Sequence, residues 1–110
     1  MTAEMRREWP VYVYGELRVD MGRRRASYQG RYAALSPSEF RVLARLSGDG
    51  GSLVTQDDLL DALHGPEEYD SATIRPHMSR LRQKLEDVGA DPGCIRTVRG
   101  EGYTLEVDLL

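Results

Sequence analysis

The period of apolar and polar positions changes along this chain, from two in the first third, to between three and four in the middle, and back to two at the end. Residues 11–14 read V-Y-V-Y, and after Gly15 the apolar Leu17 and Val19 alternate with Arg18 and Asp20, the pattern of two half-buried strands joined by a tight turn. The turn-like Met21, Gly22 and Arg23 lead to a third strand over 26–29, and Gly30 separates it from a fourth over 31–34. The spacing predicts a four-stranded antiparallel meander.

L-S-P-S-E-F, residues 35–40, marks the change to helix. Ser36 is placed as N-cap, Pro37 at N1 where its missing N–H costs nothing, and Glu39 at N3 to complete a capping box, with Leu35 and Phe40 as a hydrophobic staple. Phe40, Leu43 and Ala44, with Leu46 or Ser47, are expected to face inward until Gly48 stops the helix. Residues 48–52 then make a connection, and Thr55 with Asp58 opens a second helix that carries Leu59, Leu60 and Leu63 and ends near His64 and Gly65. An acidic connection of about six or seven residues, including Glu67, Glu68, Tyr69 and Asp70, leads to the third helix.

That third helix is the stretch around which the chain is organised. Ile74, Met78, Leu81, Leu85 and Val88 recur at the spacing that keeps one helical face against a core. An interior proline costs about 3 kcal/mol, so Pro76 belongs in the first turn. An N-cap at Thr73 makes Pro76 the N3 residue and gives a helix over about 73–88, ending before Gly89. On its other arc sit Arg75, Pro76, His77, Ser79, Arg80, Arg82, Gln83 and Lys84, cationic or hydrogen-bonding with no acid among them. Strands over 95–98 and 103–107 around Arg99-Gly100-Glu101-Gly102 complete the chain as a hairpin.

A basic helix face is by default merely solvated, and charge segregation is what argues for more. Residues 1–45 hold nine Lys+Arg against five acids, 46–74 none against seven, 75–84 four against none, and 85–110 two against six, within a net charge of −3. A basic patch set in an acidic chain points to a polyanion. The Arg23, Arg24, Arg25 run reads either as a solvated turn or as a further phosphate contact.

Other chemistry is not encoded. With Cys94 as the single cysteine an internal disulfide is impossible, and neither His64 nor His77 stands at a metal-ligand spacing, so no metal and no cofactor is expected. Paired carboxylates, a nucleophile with its base and a phosphate-cradling glycine loop are all missing, so the chain does not read as an enzyme. No apolar run is long enough for a membrane span or signal peptide, and a cytoplasmic, nucleoid-associated protein with no membrane partner is expected. The 110 residues divide into an N-terminal extension over 1–10, one domain over 11–107 and a C-terminal tail over 108–110.

Four strings, in order and at matching intervals, carry a family resemblance: L-S-P-S-E-F-R-V-L in the first helix, V-T-Q-D-D-L-L in the second, H-M-S-R-L-R-Q-K-L in the third and I-R-T-V-R-G-E-G-Y in the hairpin. Over about residues 11–107 the chain resembles the winged helix-turn-helix DNA-binding effector domain of OmpR/PhoB-type bacterial response regulators of two-component systems. The resemblance implies an α+β fold: an N-terminal four-stranded antiparallel sheet, three helices and a C-terminal β-hairpin wing. It implies sequence-specific binding of double-stranded DNA for transcription regulation, with the recognition helix in the major groove and the wing over 95–107 in the minor groove. Arg75, Pro76, Ser79, Arg80 and Gln83 would face bases; Thr73, His77, Arg82 and Thr97 would contact phosphates; Arg99 would enter the minor groove. Tyr103 is read as packing at the root of the wing. Glu67, Glu68, Tyr69 and Asp70 would form a contact loop for RNA polymerase, and a second copy would occupy a tandem half-site.

The sequence departs from the family at three places. Arg75 and Pro76 stand where an acid and a β-branched residue are usual, so the target sequence is not carried over. His64 replaces a common tryptophan, and a receiver domain has no room in this length. The chain is either a stand-alone regulator or the effector half of a longer protein. A reading from another class is a winged-helix module that engages RNA polymerase or another regulator, with DNA contact secondary.

Overall fold

The computed structural model describes residues 9–64 and 74–110. Strands β1 (Val11–Tyr14), β2 (Leu17–Asp20), β3 (Arg25–Tyr28) and β4 (Arg31–Tyr32) form an antiparallel meander in that order. Leu17 lies opposite Tyr28 and Val19 opposite Ala26, and these four side chains make the buried face. The third strand starts and stops one residue earlier than expected, because Gln29 and Gly30 both take positive φ, 50° and 82°, and so form the hairpin turn. The fourth is shorter than the expected 31–34, although Ala33 N–H still donates to Ala26 O at 2.9 Å.

Helix α1 (Pro37–Gly48) begins as its sequence requires. Ser36 Oγ accepts from Glu39 N–H at 3.1 Å and Glu39 Oε1 accepts from Ser36 N–H at 2.8 Å, the reciprocal capping box. Phe40, Leu43, Leu46 and Ser47 are buried as expected, and so is Val42, because α1 packs against α2, α3, β2 and β7 and buries more than one stripe. A strand the periodicity does not announce follows, β5 (Val54–Thr55), pairing with β7 of the hairpin. Helix α2 (Gln56–His64) then starts on Thr55, whose Oγ1 accepts from Asp58 N–H at 3.2 Å, and buries Leu59, Leu60 and Leu63.

Helix α3 (Arg75–Asp87) buries Met78, Leu81 and Leu85, flanked by buried Ile74 and Val88. It begins later than expected, and the expected six- or seven-residue connection from α2 lies outside the described residues. Ile74, not Thr73, is the N-cap: Ile74 O accepts from both His77 N–H and Met78 N–H at 3.0 Å, so Pro76 is the second helical residue. The proline forfeits no intrahelical bond at either position. Thr73 and the acidic Glu67, Glu68, Tyr69 and Asp70 lie outside the described residues.

After a 3₁₀ turn (Pro92–Cys94), strands β6 (Ile95–Val98) and β7 (Gly102–Leu105) form the hairpin, so the second sheet is three-stranded, in the order β5-β7-β6. Residues Val107–Leu109 make a further 3₁₀ turn, and Leu110 O accepts from Glu16 N–H at 2.9 Å, holding the chain end on the β1–β2 turn. One core joins the inner face of the meander, the three helices and β5–β7. No helix among the described residues is long and apolar enough to cross a membrane.

Candidate nucleic-acid interface

Burying Met78, Leu81 and Leu85 turns the opposite side of α3 outward, and there Arg75, Pro76, Ser79, Arg80 and Gln83 are exposed. His77, Arg82 and Lys84 are half-buried on its flanks. Between the starts of α2 and α3 and the hairpin lies a recess of about 190 Å³, lined by Gln56, Arg75, Thr97, Arg99, Gly102 and Tyr103. The fold therefore brings Arg75, Thr97 and Arg99 from two distant elements to one concavity. It adds Gln56, which the sequence alone does not single out; its only local signal is its place as the first residue after the Thr55 cap.

Arg82 does not simply point to solvent. Its Nε and Nη2 donate to Ile95 O at 2.9 and 2.7 Å, Nη2 also donates to Thr97 Oγ1 at 3.0 Å, and the guanidinium lies 5.7 Å from the centroid of the Tyr103 ring. Charge-assisted bonds to a carbonyl are strong, so Arg82 fixes the angle between α3 and the hairpin. Gln83 Nε2 donates to Asp87 Oδ1 at 3.0 Å, one turn along the same helix. Arg80 Nη2 donates to His77 Nδ1 at 3.0 Å; arginine has no acceptor, so the imidazole nitrogen must accept.

Behind this face stands a buried acid. Glu39 on α1 is only 4% exposed, and Lys84 Nζ approaches its Oε1 at 2.6 Å while Arg80 Nε lies 3.7 Å from its Oε2. Burial alone pushes the Glu39 carboxyl up; the Lys84 hydrogen bond, the Ser36 contributions and the Lys84 charge outweigh it and hold the group below its ordinary value. A carboxyl depressed by folding contributes stability that is present above the unfolded value of about 4.3 and is lost as pH falls through the lower folded one. Stability of the wild type should therefore drop more steeply on acidification than that of Glu39→Gln. Thermal midpoints measured from pH 6 down to 3 should converge in acid, and parallel curves would show that Glu39 carries no such linkage.

The arginine run of the β2–β3 turn lies elsewhere, with Arg24 over the Phe40 ring at 5.1 Å and Arg25 over the Tyr32 ring at 4.3 Å. Neither lines the recess. Cys94 is buried and its thiol is pushed up to about 11, by burial first and then by Asp91, so it stays protonated at neutral pH.

Comparison with known proteins agrees with this geometry. The family described as "Transcriptional regulatory protein, C terminal" matches residues 30–105. BaeR, a transcriptional regulatory protein of Escherichia coli O6:H1, is 39% identical over 93 residues, which cover 82% of this chain and 38% of that protein. PhoB, the phosphate regulon regulator of Rhizobium meliloti, is 38% identical, covering 84% of this chain and 40% of that one. The chain thus spans about two-fifths of the length of these relatives. Among solved structures, the Klebsiella pneumoniae RstA DNA-binding domain in complex with the RstA box superposes with a TM-score of 0.73 at 33% identity, covering 88% of this chain and 97% of that one. The DNA-binding domain of CpxR from E. coli gives 0.74 at 30% identity, covering 87% and 95%. A four-stranded sheet, three helices and a hairpin docked on the third helix, together with these matches, place the chain in the OmpR/PhoB-type family of response-regulator DNA-binding domains.

Proposed function

We propose that this chain regulates transcription by sequence-specific binding to double-stranded DNA, with α3 in the major groove and the β6–β7 hairpin as a wing in the adjacent minor groove. The observation that carries this reading is the recess in which Arg75 of α3 and Arg99 of the hairpin converge, beside an α3 face whose Ser79, Arg80 and Gln83 are exposed. A duplex laid along that face meets donors from both elements at once. The RstA domain, of the same fold, was solved bound to its DNA box.

In this reading Arg75, Pro76, Ser79, Arg80 and Gln83 face bases, and His77, Thr97, Gln56 and Thr73 contact phosphates. Arg99 follows minor-groove width, since a narrow A·T tract strengthens the negative potential a guanidinium meets there. Arg82 serves the phosphate backbone through its hold on Ile95 O and Thr97, which keeps wing and helix at one angle.

The test is selection of bound sequences from random duplexes, followed by affinity measurements on the selected site and a scrambled one. Affinity should fall steeply as salt rises from about 50 to 200 mM, as phosphate contacts release counterions. Arg80→Ala should relax preference at one base pair by about 1 to 3 kcal/mol, whereas Arg82→Ala should weaken all sequences alike. Equal losses on selected and scrambled DNA for both variants would remove Arg80 from base reading, and failure to enrich any sequence would refute the function.

A further inference from the structure

We infer that Glu39 is a positioning residue for base recognition: its buried carboxylate on α1 tethers Arg80 of α3 and so sets the discrimination that Arg80 exercises. The inference rests on the base-reading role of Arg80 proposed above. Its starting point is that the capping box needs much less than the structure provides. One exposed oxygen would suffice to accept from Ser36 N–H. Glu39 instead is 4% exposed and divides its two oxygens, Oε1 serving Ser36 N–H at 2.8 Å and Lys84 Nζ at 2.6 Å, with Oε2 turned to Arg80 Nε at 3.7 Å. A carboxylate taken out of water is costly unless charged partners surround it. Both partners come from α3, at positions one helical turn apart.

The geometry at Arg80 shows what the tether does. Glu39 lies beside Nε, and His77 Nδ1 accepts from Nη2 at 3.0 Å, so both restraints fall along the Nε/Nη2 edge of the planar guanidinium. The terminal edge, Nη1 with the second proton of Nη2, remains to donate two parallel bonds, the pattern that the O6 and N7 of guanine accept. The side chain is still 55% exposed, so restraint does not withdraw it from solvent. An untethered arginine samples many rotamers and satisfies whichever acceptor comes within reach, phosphates included. A tethered one loses less entropy at the matching base and gains less at the wrong one.

The experiment is a double-mutant cycle on the 110-residue chain, read as the affinity ratio between the selected duplex and one altered at the base pair whose preference Arg80→Ala relaxes. Glu39→Gln keeps the shape and an acceptor for Ser36, and should lower the ratio by roughly threefold to tenfold, the range of coupled neighbours. In an Arg80→Ala background the same substitution should leave the ratio unchanged. Glu39→Asp, which keeps the charge but withdraws it by one methylene, should fall between wild type and Gln. Ser36→Ala supplies a purely structural comparison, because it loses the cap bond to Glu39 N–H and lowers the thermal midpoint yet retains the backbone N–H that the carboxylate accepts; its ratio should match the wild type. An unchanged ratio in both Glu39 variants, an effect that persists without Arg80, or an equal drop in Ser36→Ala would overturn the inference while leaving DNA binding intact. If Arg80→Ala alone relaxes no position, the base-reading role itself fails and takes the inference with it.

Discussion

Gly102→Ala should destabilise the domain by about 3 kcal/mol, the upper end of what forced overpacking costs, and should lower the thermal midpoint by roughly 15 °C in a domain of this size. A Cβ at position 102 would overlap Val54 O and stand 2.9 Å from both Thr55 Cα and Val54 C. All three are backbone atoms of β5, so no side-chain rotation relieves the clash; the strand itself must move. Thr55 pairs directly with Gly102 and also caps α2, so displacing β5 frays the start of that helix as well. Gly100, two residues earlier, provides the contrast. It has φ +76°, and a Cβ there would meet nothing within 4 Å, so Gly100→Ala incurs only left-handed backbone strain, about 1 to 2 kcal/mol. Urea or thermal denaturation of the two variants reads the difference. Equal costs would mean that β5 is not held against the hairpin as described.

The same strand marks where sequence reasoning stops. The start of α1 is legible because a capping box is local chemistry, written in Ser36, Pro37 and Glu39 within four residues. The buried face of α3 is legible because five apolar residues repeat at the helical period. Strand β5 has two residues and no alternation to show; it exists because β7 lies beside it and Gly102 lets the backbones close, which is tertiary information. The start of α3 differs from expectation for a related reason, since Pro76 fits equally well as second or third residue and the choice falls to buried Ile74.

At the site the exposure of Arg75, Ser79, Arg80 and Gln83 follows directly from the buried stripe. The partners do not. Arg82 reads as one more cation on a basic face, and its bonds to Ile95 O become visible only when the hairpin is folded against the helix. Glu39 reads as a capping residue, and its second role depends on Arg80 and Lys84 arriving from forty or more positions away, 45 in the case of Lys84.

Separating two half-sites by an additional ~5 bp should abolish cooperative binding, and ~10 bp should restore part of it, because one helical turn of DNA is about 10 bp. One copy can read little: α3 has 13 residues, and the exposed positions proposed above to face bases run only from Arg75 to Gln83. A single recognition helix covers too few base pairs to select one site against the ~10⁶ or more competitors in a genome. Two copies on adjacent half-sites multiply that discrimination. They are not expected to be joined beforehand, since α1, α2 and α3 each spend their apolar side chains on the shared core and leave no heptad seam for a coiled coil. The copies should therefore meet on DNA, with a coupling of about 1 to 3 kcal/mol, or roughly fivefold to 150-fold. An insertion of half a turn rotates one copy to the far side of the duplex, where no contact can form; a full turn returns it to the same side at a greater distance. The family relationship favours a head-to-tail repeat, so inverting one half-site should cost the coupling too. Gel-shift titrations over spaced and inverted sites measure this, and sedimentation of the free chain supplies the reference state. A tight dimer without DNA, or affinity indifferent to spacing, would refute the arrangement.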